Sequence, residues 1–434
     1  MHPLSLSSHI VVDCPVNAAE FFTEHFKRLK GTAPYPWQRA LFEQIVSGNW
    51  PQVVDMPTGA GKTAVLWIWG LALAWTRQQK TNGIPIRLAW VVNRRVVVDQ
   101  VTEEVRQLCE KWLGIGFEAM PEPPAASTLR GQLADNGEWR SNPAKPAVIV
   151  GTVDMIGSRL LFRGYRSNRY WRPVESGLLG VDTLIVNDEA HLSPAFSKLV
   201  CTLESMKPAE RINGKSFRYM LLSATQDKES DAVRFNHEPS GDAEQSERFR
   251  QTWAAEKSLE LCEVANAAAF DSQFWKLTTR EPAERVIVFI ERPEDALRFY
   301  KRLISEGFAA ALMTGTMRGK ERDELAETNE VFRRFLRTDP GESPVFLVAT
   351  SAAEVGVNLT CERMVTGLCE ADHLIQRFGR LNRFGADSAG QPTKGEAFVL
   401  YVEPKKDSQA RLKATLPYLK GLNGDVSPRG CMSR

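Results

Sequence analysis

Features that would point to several other classes of protein are scarce in this chain of 434 residues. Its seven cysteines include no Cys-x-x-Cys pair, which argues against a disulfide framework or zinc module and fits a reducing compartment. No basic segment followed by an apolar stretch opens the chain, and the longest apolar run, Ala64 to Trp75, is too short to span a bilayer. The net charge is only +2, so any nucleic acid must be bound by local patches. We therefore expect a cytoplasmic protein without a membrane partner.

Short β-rich apolar runs alternate with amphipathic stretches, a pattern typical of parallel sheets flanked by helices. Five candidate strands come first, at Gln52–Asp55, Arg87–Asn93, Ala147–Gly151, Thr183–Asn187 and Arg218–Ser223. Four more follow at Arg285–Ile290, Ala309–Thr314, Val345–Thr350 and Ala397–Val402. The stretch between the two sets, about 226–256, is rich in Glu, Asp, Ser and Arg and predicts a linker or insertion. The sequence therefore predicts an α/β chain with two lobes.

A phosphate-binding loop is predicted at MPTGAGKT, residues 56–63, which follows a candidate strand and should open a helix. Its glycines let backbone N–H groups face phosphate oxygens, and a helix N-terminus adds positive potential. Lys62 is expected to reach the β- and γ-phosphates of ATP, and Thr63 to hold Mg²⁺. Met56 stands where Gly or Ala is usual. The expected nucleotide contacts are Thr58, Gly59, Ala60, Gly61, Lys62 and Thr63.

Two carboxylates after a buried strand supply the other half of a nucleotide site. Asp188 is placed to bind Mg²⁺, and Glu189 to orient and deprotonate the attacking water. Asn187 replaces an apolar residue and is expected to loosen the strand end slightly. Gln38, about twenty residues before the phosphate loop, is a candidate adenine contact, because its amide offers both a donor and an acceptor.

Arginines from the second lobe are expected to complete the site. Gln376 begins the segment QRFGRLNR, which would place Arg380 and Arg383 on one face of a helix. Guanidinium groups there would neutralise charge that develops on the γ-phosphoryl group. The element from Thr350 to Gly356 follows a strand and is a candidate contact for nucleic acid and the nucleotide ribose. The predicted relay between the ATP cleft and the nucleic acid is Ser223, Ala224 and Thr225.

These motifs together resemble those of superfamily 2 helicases, and most closely those of the CRISPR-associated helicase–nuclease of type I systems. The phrases that carry the resemblance lie between about residues 34 and 385 and are PYPWQ, DMPTGAGKT, VVNRRVVVDQ, GTVDMIGSRLLFRGY, GLLGVDTLIVNDEAHLSPAF, LLSATQ, TGTMRG, TSAAEVGVNL and QRFGRLNRFG. Two of them, GTVDMIGSRLLFRGY and GLLG…DEAHLSPAF, look most like the type I-G (earlier I-U) branch.

The resemblance implies two tandem RecA-like P-loop lobes that use ATP and Mg²⁺ to move 3′-to-5′ on single-stranded DNA. It also implies a partnership with a CRISPR Cascade effector complex, and catalytic roles for Asp188, Glu189, Gln376, Arg380 and Arg383. Asn358 departs from the Asp of many relatives, which leaves one nucleotide-sensing contact open. The expected boundaries are an N-terminal extension (1–33), lobe 1 (34–225), a linker or insertion (226–265), lobe 2 (266–405) and a C-terminal tail (406–434).

The metal-binding His-Asp (HD) nuclease of that family has no counterpart among the six histidines, none of which precedes an Asp. We therefore expect no nuclease activity from this chain, and we expect the HD nuclease domain to be separate or downstream. The chain is expected to be a helicase alone or a truncated product.

Backbone contacts to nucleic acid are expected at strand ends, where they would hold phosphates without reading bases. The candidates are Arg94, Arg95, Thr152, Arg159, Arg163, Thr316, Arg318 and Thr350. From Arg159 to Arg172, five arginines are interleaved with Phe162, Tyr165, Tyr170 and Trp171. This segment predicts either a single-strand-binding surface or a solvated loop whose rings anchor it to the core.

Three other functions stay open from the sequence. The chain could be a superfamily 2 helicase of repair or RNA metabolism, a P-loop kinase or transferase, or a clamp that binds ATP without turnover. A kinase would have one lobe, and the arginines of the second lobe would then have no role. Glu189 and Arg380 speak against the clamp.

Overall fold

Two parallel sheets, one in each lobe, organise the computed structural model. It describes residues 17–93, 95–129, 137–165, 167–206, 217–223, 232–281, 284–317, 319–339, 341, 343–354, 358–403 and 410–432. The six strands of lobe 1 run in the order β1-β6-β5-β2-β4-β3, and every neighbouring pair is parallel. Their bounds are β1 Val53–Asp55, β2 Arg87–Val92, β3 Ala125–Leu129, β4 Ala147–Thr152, β5 Thr183–Asp188 and β6 Phe217–Ser223.

Helices cover both faces of the lobe 1 sheet, as an all-parallel sheet requires. They are α1 Ala18–Lys30, α2 Pro36–Val46, α3 Val65–Gln78, α4 Arg95–Leu113, α5 Glu138–Ser141, α6 Val153–Leu160, α7 Arg172–Gly180 and α8 Pro194–Ser205. α3, which contains most of the longest apolar run, is buried almost all round because α1 and α2 pack against it. No helix in the described ranges is both long and apolar enough to cross a membrane.

Lobe 2 repeats this architecture with the strand order β7-β12-β11-β8-β10-β9, again all parallel. The strands are β7 Glu256–Glu263, β8 Arg285–Phe289, β9 Ala310–Met313, β10 Val345–Ala349, β11 Arg363–Gly367 and β12 Lys394–Tyr401. The helices that follow lobe 1's sheet are α9 Pro239–Gln245, α10 Glu247–Trp253, α11 Ala267–Thr279, α12 Pro293–Ser305, α13 Gly319–Thr328, α14 Glu330–Arg334, α15 Ala371–Phe378, α16 Ala410–Gly421 and α17 Pro428–Met432.

The predicted fold class is confirmed, and each of the nine candidate strands corresponds to an observed strand. Three strands were missed: β3, β7 and β11. β3 is built from Ala, Ser and Thr, and β7 alternates charged and apolar residues at the edge of its sheet. Neither contains the run of β-branched residues that marks a central parallel strand.

The predicted linker, 226–265, needs correction where the structure describes it. Phe235, Phe249 and Trp253 are buried in the hydrophobic core of lobe 1, and Asp242 of α9 accepts a hydrogen bond from the Trp37 backbone at 2.6 Å. The next segment is β7, which pairs with β12 in lobe 2. The polar composition was misleading because α9 and α10 bury only one face each.

The predicted terminal segments are also parts of the lobes. In the nominal N-terminal extension, Phe22, Phe26 and Leu29 of α1 lie in the core of lobe 1. In the nominal C-terminal tail, Leu419 and Val426 are buried in the core of lobe 2. The apolar side chains of these segments help to cover the sheets of the two lobes.

Candidate nucleotide site and nucleic-acid interface

The phosphate loop leaves the end of β1 and leads through a 3₁₀ turn into α3, as expected from the sequence. Gly59 and Gly61 have φ values of +89° and +75°, a left-handed conformation that a residue with a Cβ adopts only with strain. The Lys62 ammonium group donates to the Met56 carbonyl at 3.2 Å, which folds its side chain back over the loop. The loop therefore has the curled shape that exposes backbone N–H groups to phosphate.

The acidic pair lies beside this loop because β5 and β1 both pair with β6 in the sheet. Glu189 Oε1 is 3.8 Å from Lys62 Nζ. Burial, reinforced by the neighbouring Glu189 carboxylate, raises the pKa of Asp188 to about 7, although Lys62 acts in the opposite direction. The two carboxylates therefore repel each other, and a divalent cation bound here would relieve that repulsion.

Backbone geometry and hydrogen bonds fix this strand end. Glu189 has φ +51°, an unusual value for a residue other than glycine and one that often occurs at functional sites. The buried Asn187 amide donates to the Ser193 and Ser197 hydroxyl groups at 3.1 and 3.0 Å. The expectation that Asn187 loosens the strand is therefore wrong, since its side chain holds the strand to the start of α8.

Lobe 2 meets this site directly. Gln376 Nε2 donates to Glu189 Oε2 at 3.1 Å. Gly379 lies against the phosphate loop: a Cβ there would be 2.7 Å from the Thr58 methyl group, so a side chain at this position would require the Thr58 side chain or the contact between the lobes to shift. Only glycine allows the close approach without adjustment.

One structural detail of the predicted arginine segment is corrected. α15 ends at Phe378, so Arg380 and Arg383 follow the helix in a turn and do not share a helical face. The Lys257 ammonium group donates to the Phe378 carbonyl at 3.1 Å, which satisfies an acceptor at the helix end. Burial lowers the pKa of Lys257 to about 8.

The two arginines still face the same cleft as Lys62. Arg380 donates to the Glu354 carbonyl at 2.7 Å, but its buried Nε has no hydrogen-bond partner in the structure. Arg383 donates to Asn358 Oδ1 at 3.1 Å, so the departure at Asn358 still provides an acceptor. Burial lowers the pKa of Arg380 to about 9, with a smaller contribution from Arg383. Two such cations and an unpaired donor make this wall suited to a polyanion.

A buried network that the sequence analysis missed supports the arginines. Glu354 Oε1 accepts from Arg377 at 2.8 Å, and its Oε2 is 2.7 Å from His373 Nδ1. Arg377 also donates to the Thr366 hydroxyl at 2.5 Å. Glu354 and Arg377 both lie in motifs with assigned roles, yet nothing in their spacing showed that they pair.

The cleft is also lined by a second element that the sequence analysis missed, α10. Its residues Arg248, Gln251 and Thr252 line the cleft, and the Arg248 guanidinium lies 4.4 Å from the centre of the Tyr35 ring. Gln38 lies nearby, but its Oε1 accepts from the Tyr35 backbone at 2.9 Å and its Nε2 donates to the Gly61 carbonyl at 3.4 Å. An adenine contact by Gln38 would share or replace these bonds, so that role stays a prediction.

The cleft has a volume of about 980 Å³, and both lobes and α10 contribute to it. Thr63 and Asp188 line it together, and they are the residues that would hold Mg²⁺. Among the described residues, no group of three or more His, Cys, Asp or Glu residues is arranged to bind a metal. That is compatible with Mg²⁺ bound to a nucleotide, because Mg²⁺ typically takes one or two carboxylates plus phosphates and water. Ala60 is buried, and its carbonyl accepts from the Trp37 indole at 3.1 Å. Gly356 lies outside the described residues.

Two protein-family models match the chain. The DEAD/DEAH box helicase model matches residues 35–233, and the model for the C-terminal part of the CRISPR-associated nuclease/helicase Cas3 matches residues 282–386. The matched ranges correspond to the two lobes that form the cleft. Together the two matches support a Cas3-like superfamily 2 helicase.

Solved helicase structures share the fold of this chain. T. fusca Cas3 with AMP-PNP superposes with a TM-score of 0.66 at 17% identity, over 96% of this chain and 52% of that one. Mycobacterium smegmatis Lhr, solved with single-stranded DNA and AMP-PNP, gives 0.54 at 16% identity, over 92% and 49%. Mss116p, solved with single-stranded RNA and AMP-PNP, gives 0.55 at 16%, over 93% and 74%. The helicase thus spans about half the length of the Lhr and Cas3 chains. No curated protein sequence matches it.

The residues expected to contact nucleic acid in this helicase fall into different environments. Arg159 is buried, with its Nε 3.1 Å from the Glu175 carboxylate, and the same carboxylate is 2.6 Å from Arg140. The expectation of a phosphate contact is therefore wrong for Arg159, which holds α6 to α7 inside the lobe. Arg163 and Thr316 are exposed at the surface.

Two threonines among these candidates make local hydrogen bonds. Thr152 caps α6 by accepting from the Met155 backbone at 3.4 Å, and Thr350 accepts from the Gly315 backbone at 3.1 Å. Both hydroxyl groups are buried, so they shape strand ends and their contact with nucleic acid stays a prediction. Arg94 and Arg318 lie outside the described residues, as does the side chain of Arg95.

The start of the predicted relay contacts the acidic motif. The Ser223 hydroxyl is 3.2 Å from His191 Nδ1, and the same nitrogen is 3.6 Å from Glu189 Oε2. His191 therefore joins the end of β6 to the acidic pair, a role that the sequence analysis did not assign. Ala224 and Thr225 lie outside the described residues.

Proposed function

We propose that this chain hydrolyses ATP between its two lobes and uses the cycle to move along single-stranded DNA in type I CRISPR interference. The observation that carries the proposal is the 3.1 Å hydrogen bond from Gln376 to Glu189, in a cleft that Lys62, Arg380 and Arg383 also line. A nucleotide bound there would contact both lobes at once. Its hydrolysis would remove contacts that hold the lobes together.

In this proposal the chain's own groups bind and orient the reactants. Backbone groups of residues 58–61 and the Lys62 ammonium hold the phosphates, while Thr63 and Asp188 hold Mg²⁺, which when bound neutralises phosphate charge. Glu189 orients the attacking water and accepts its proton, and Gln376 fixes that carboxylate through the observed hydrogen bond. Arg380 and Arg383 stabilise the charge that develops on the γ-phosphoryl oxygens.

We also propose the biological partners that the family implies. They are a CRISPR Cascade effector complex of the type I-G kind and an HD nuclease domain that is separate or downstream. The Cas3-like match at residues 282–386 supports this placement. It also supports a cytoplasmic site of action, where these partners would meet DNA.

Glu189→Gln tests the catalytic assignment. The substitution removes the proton acceptor but keeps the side chain's shape and the Asp188 carboxylate. We expect DNA-stimulated turnover to fall at least a hundredfold, judging from the usual contribution of a general base. Binding of a fluorescent ATP analogue should change little. The exposed Glu118→Gln is the matched control, and turnover of Glu189→Gln within a few-fold of the parent would refute the assignment.

The second candidate is a superfamily 2 helicase that acts on RNA or in DNA repair, since Mss116p shares the fold and was solved with RNA. Stimulation of the ATPase by oligodeoxynucleotides and by oligoribonucleotides of one sequence separates the candidates. Preference for RNA would favour the second. Nucleotide binding without turnover in either case would favour a clamp.

A further inference from the structure

We propose that four exposed rings on one surface segment, Phe162, Tyr165, Tyr170 and Trp171, form a base-stacking platform for single-stranded nucleic acid. These side chains are 62%, 58%, 73% and 43% exposed. In the part of the chain that the structure describes, no other aromatic side chain is exposed to this degree. The sequence left open whether these rings anchor a loop to the core. Their exposure argues against that alternative.

The loop that carries the rings is fixed to the lobe beneath it. The backbone N–H groups of Arg163 and Gly164 donate to the Ser158 carbonyl at 2.8 and 2.9 Å, and that of Tyr165 donates to the Ser158 hydroxyl at 3.0 Å. Phe162 has φ +59°, a strained value for a bulky residue, and this conformation leaves its ring exposed. Exposed apolar rings on a firmly hydrogen-bonded loop indicate a binding surface.

The charge around the rings favours a polyanion as the occupant. The sequence from Leu161 to Arg172 contains four arginines and no Asp or Glu. The Arg169 guanidinium lies 5.2 Å from the centre of the Tyr170 ring, and Arg140 lies at the same distance from Trp171. Rings interleaved with cations are the arrangement that binds single strands, whose bases are free to stack. Duplex bases are already stacked on each other and would not engage these rings.

The platform lies outside the nucleotide cleft, because none of its rings lines that cleft. It follows α6, which begins at the carboxyl end of β4, and the eight residues of α6 span about 12 Å. The segment that carries the rings therefore starts about one length of α6 along the chain from the carboxyl end of β4. The inference rests on the proposed movement along a single strand. In it, the rings bind the bases of that strand without reading their sequence.

The test measures binding of fluorescein-labelled oligothymidylate to the full chain by anisotropy, with AMP-PNP present. Tyr170→Ala should weaken binding roughly tenfold, the order found for one lost base stack, and Tyr170→Phe should bind like the parent. Leu113→Ala removes an equally exposed apolar side chain elsewhere in lobe 1 and is the control. The slope of log Kd against log salt should stay unchanged for Tyr170→Ala, because no cation is lost.

An abasic oligonucleotide completes a double-mutant cycle, in which the base and the Tyr170 ring are removed separately and together. Without bases, the parent and Tyr170→Ala should bind with equal affinity. Two results would overturn the inference. In the first, Tyr170→Ala weakens binding of both oligonucleotides equally. In the second, Tyr170→Ala and Tyr165→Ala both bind oligothymidylate with the affinity of the parent. The second result is the one expected of a protein-docking surface. If the binding prediction fails while DNA still stimulates ATP turnover, the proposed function stands. If DNA does not stimulate ATP turnover by the parent, the proposed function is refuted.

Discussion

Glu354→Gln is the substitution that most directly tests whether the buried network around Glu354 and Arg377 stabilises lobe 2. The Glu354 carboxylate is buried and pairs with Arg377 at 2.8 Å and with His373 at 2.7 Å. Neutralising one partner of a buried ion pair usually costs about 3–5 kcal/mol, because the other charge stays buried. Glutamine keeps one oxygen that can accept from Arg377, so we expect a loss near 3 kcal/mol.

The assay is urea-induced unfolding, in which the shift of the midpoint multiplied by the slope gives the loss of stability. The Glu354→Gln, Arg377→Met double variant should lose less than the sum of the single variants, because the buried cation is gone as well. The control is Glu327→Gln, which removes the same charge at an exposed position in lobe 2.

The same substitution should alter the pH dependence of stability. The hydrogen bond to Glu354 raises the pKa of His373 above its ordinary value of 6.5. A raised pKa in the folded state stabilises below pH 6.5, and this contribution is lost as the pH rises through the folded-state pKa. Because His373 is partly exposed, the effect should be small, and it should disappear in Glu354→Gln. A Glu354→Gln variant with the parent's unfolding midpoint and the parent's pH slope would refute the stabilising role of the network.

Two further predictions separate catalytic from structural arginines. Arg380→Ala should cost about 2–4 kcal/mol of transition-state stabilisation in ATP turnover, with nucleotide affinity less affected. If its loss of turnover is no larger than that of the exposed Arg298→Ala, then Arg380 does not act on the phosphoryl group. Arg159→Ala should destabilise lobe 1 by about 3 kcal/mol, at the low end for a broken buried pair because Arg140 remains beside Glu175. Arg163→Ala should instead leave stability unchanged and lower the salt dependence of binding to single strands by about 0.7 in slope; the opposite pattern would contradict the structural assignment of Arg159.

Local sequence predicted the parts of this site that depend on one short segment. The phosphate loop needs glycines at residues 59 and 61, where φ is positive, and the acidic pair needs a buried strand before it. Both requirements appear in the order of the residues. Nine of the strands were predicted in the same way, from continuous apolar runs in the sequence.

Features that depend on distant partners could not be predicted in this way. Arg159 looked like a surface cation until the structure placed Glu175 beneath it, and the sequence separation of the pair carries no signal. The end of α15 was missed for a similar reason, because the group that caps Phe378 is Lys257, from a strand that was itself missed. Polar composition at 226–256 predicted a linker, since a short helix that buries one face remains polar overall.

Helix α10, within the segment first predicted to be a linker, contacts both the phosphate loop and lobe 2. Thr252 of α10 is 3.1 Å from the position that a Cβ on Gly59 would take. On the other side of α10, the Gln251 carbonyl is so close to Gly385 of lobe 2 that any side chain there would overlap it. α10 thus fills the space between the phosphate loop and lobe 2, next to the contact between Gly379 and Thr58. Packed protein interiors do not compress to absorb displacements. A change in lobe separation would therefore shift α10 against the phosphate loop or break its contact at Gly385.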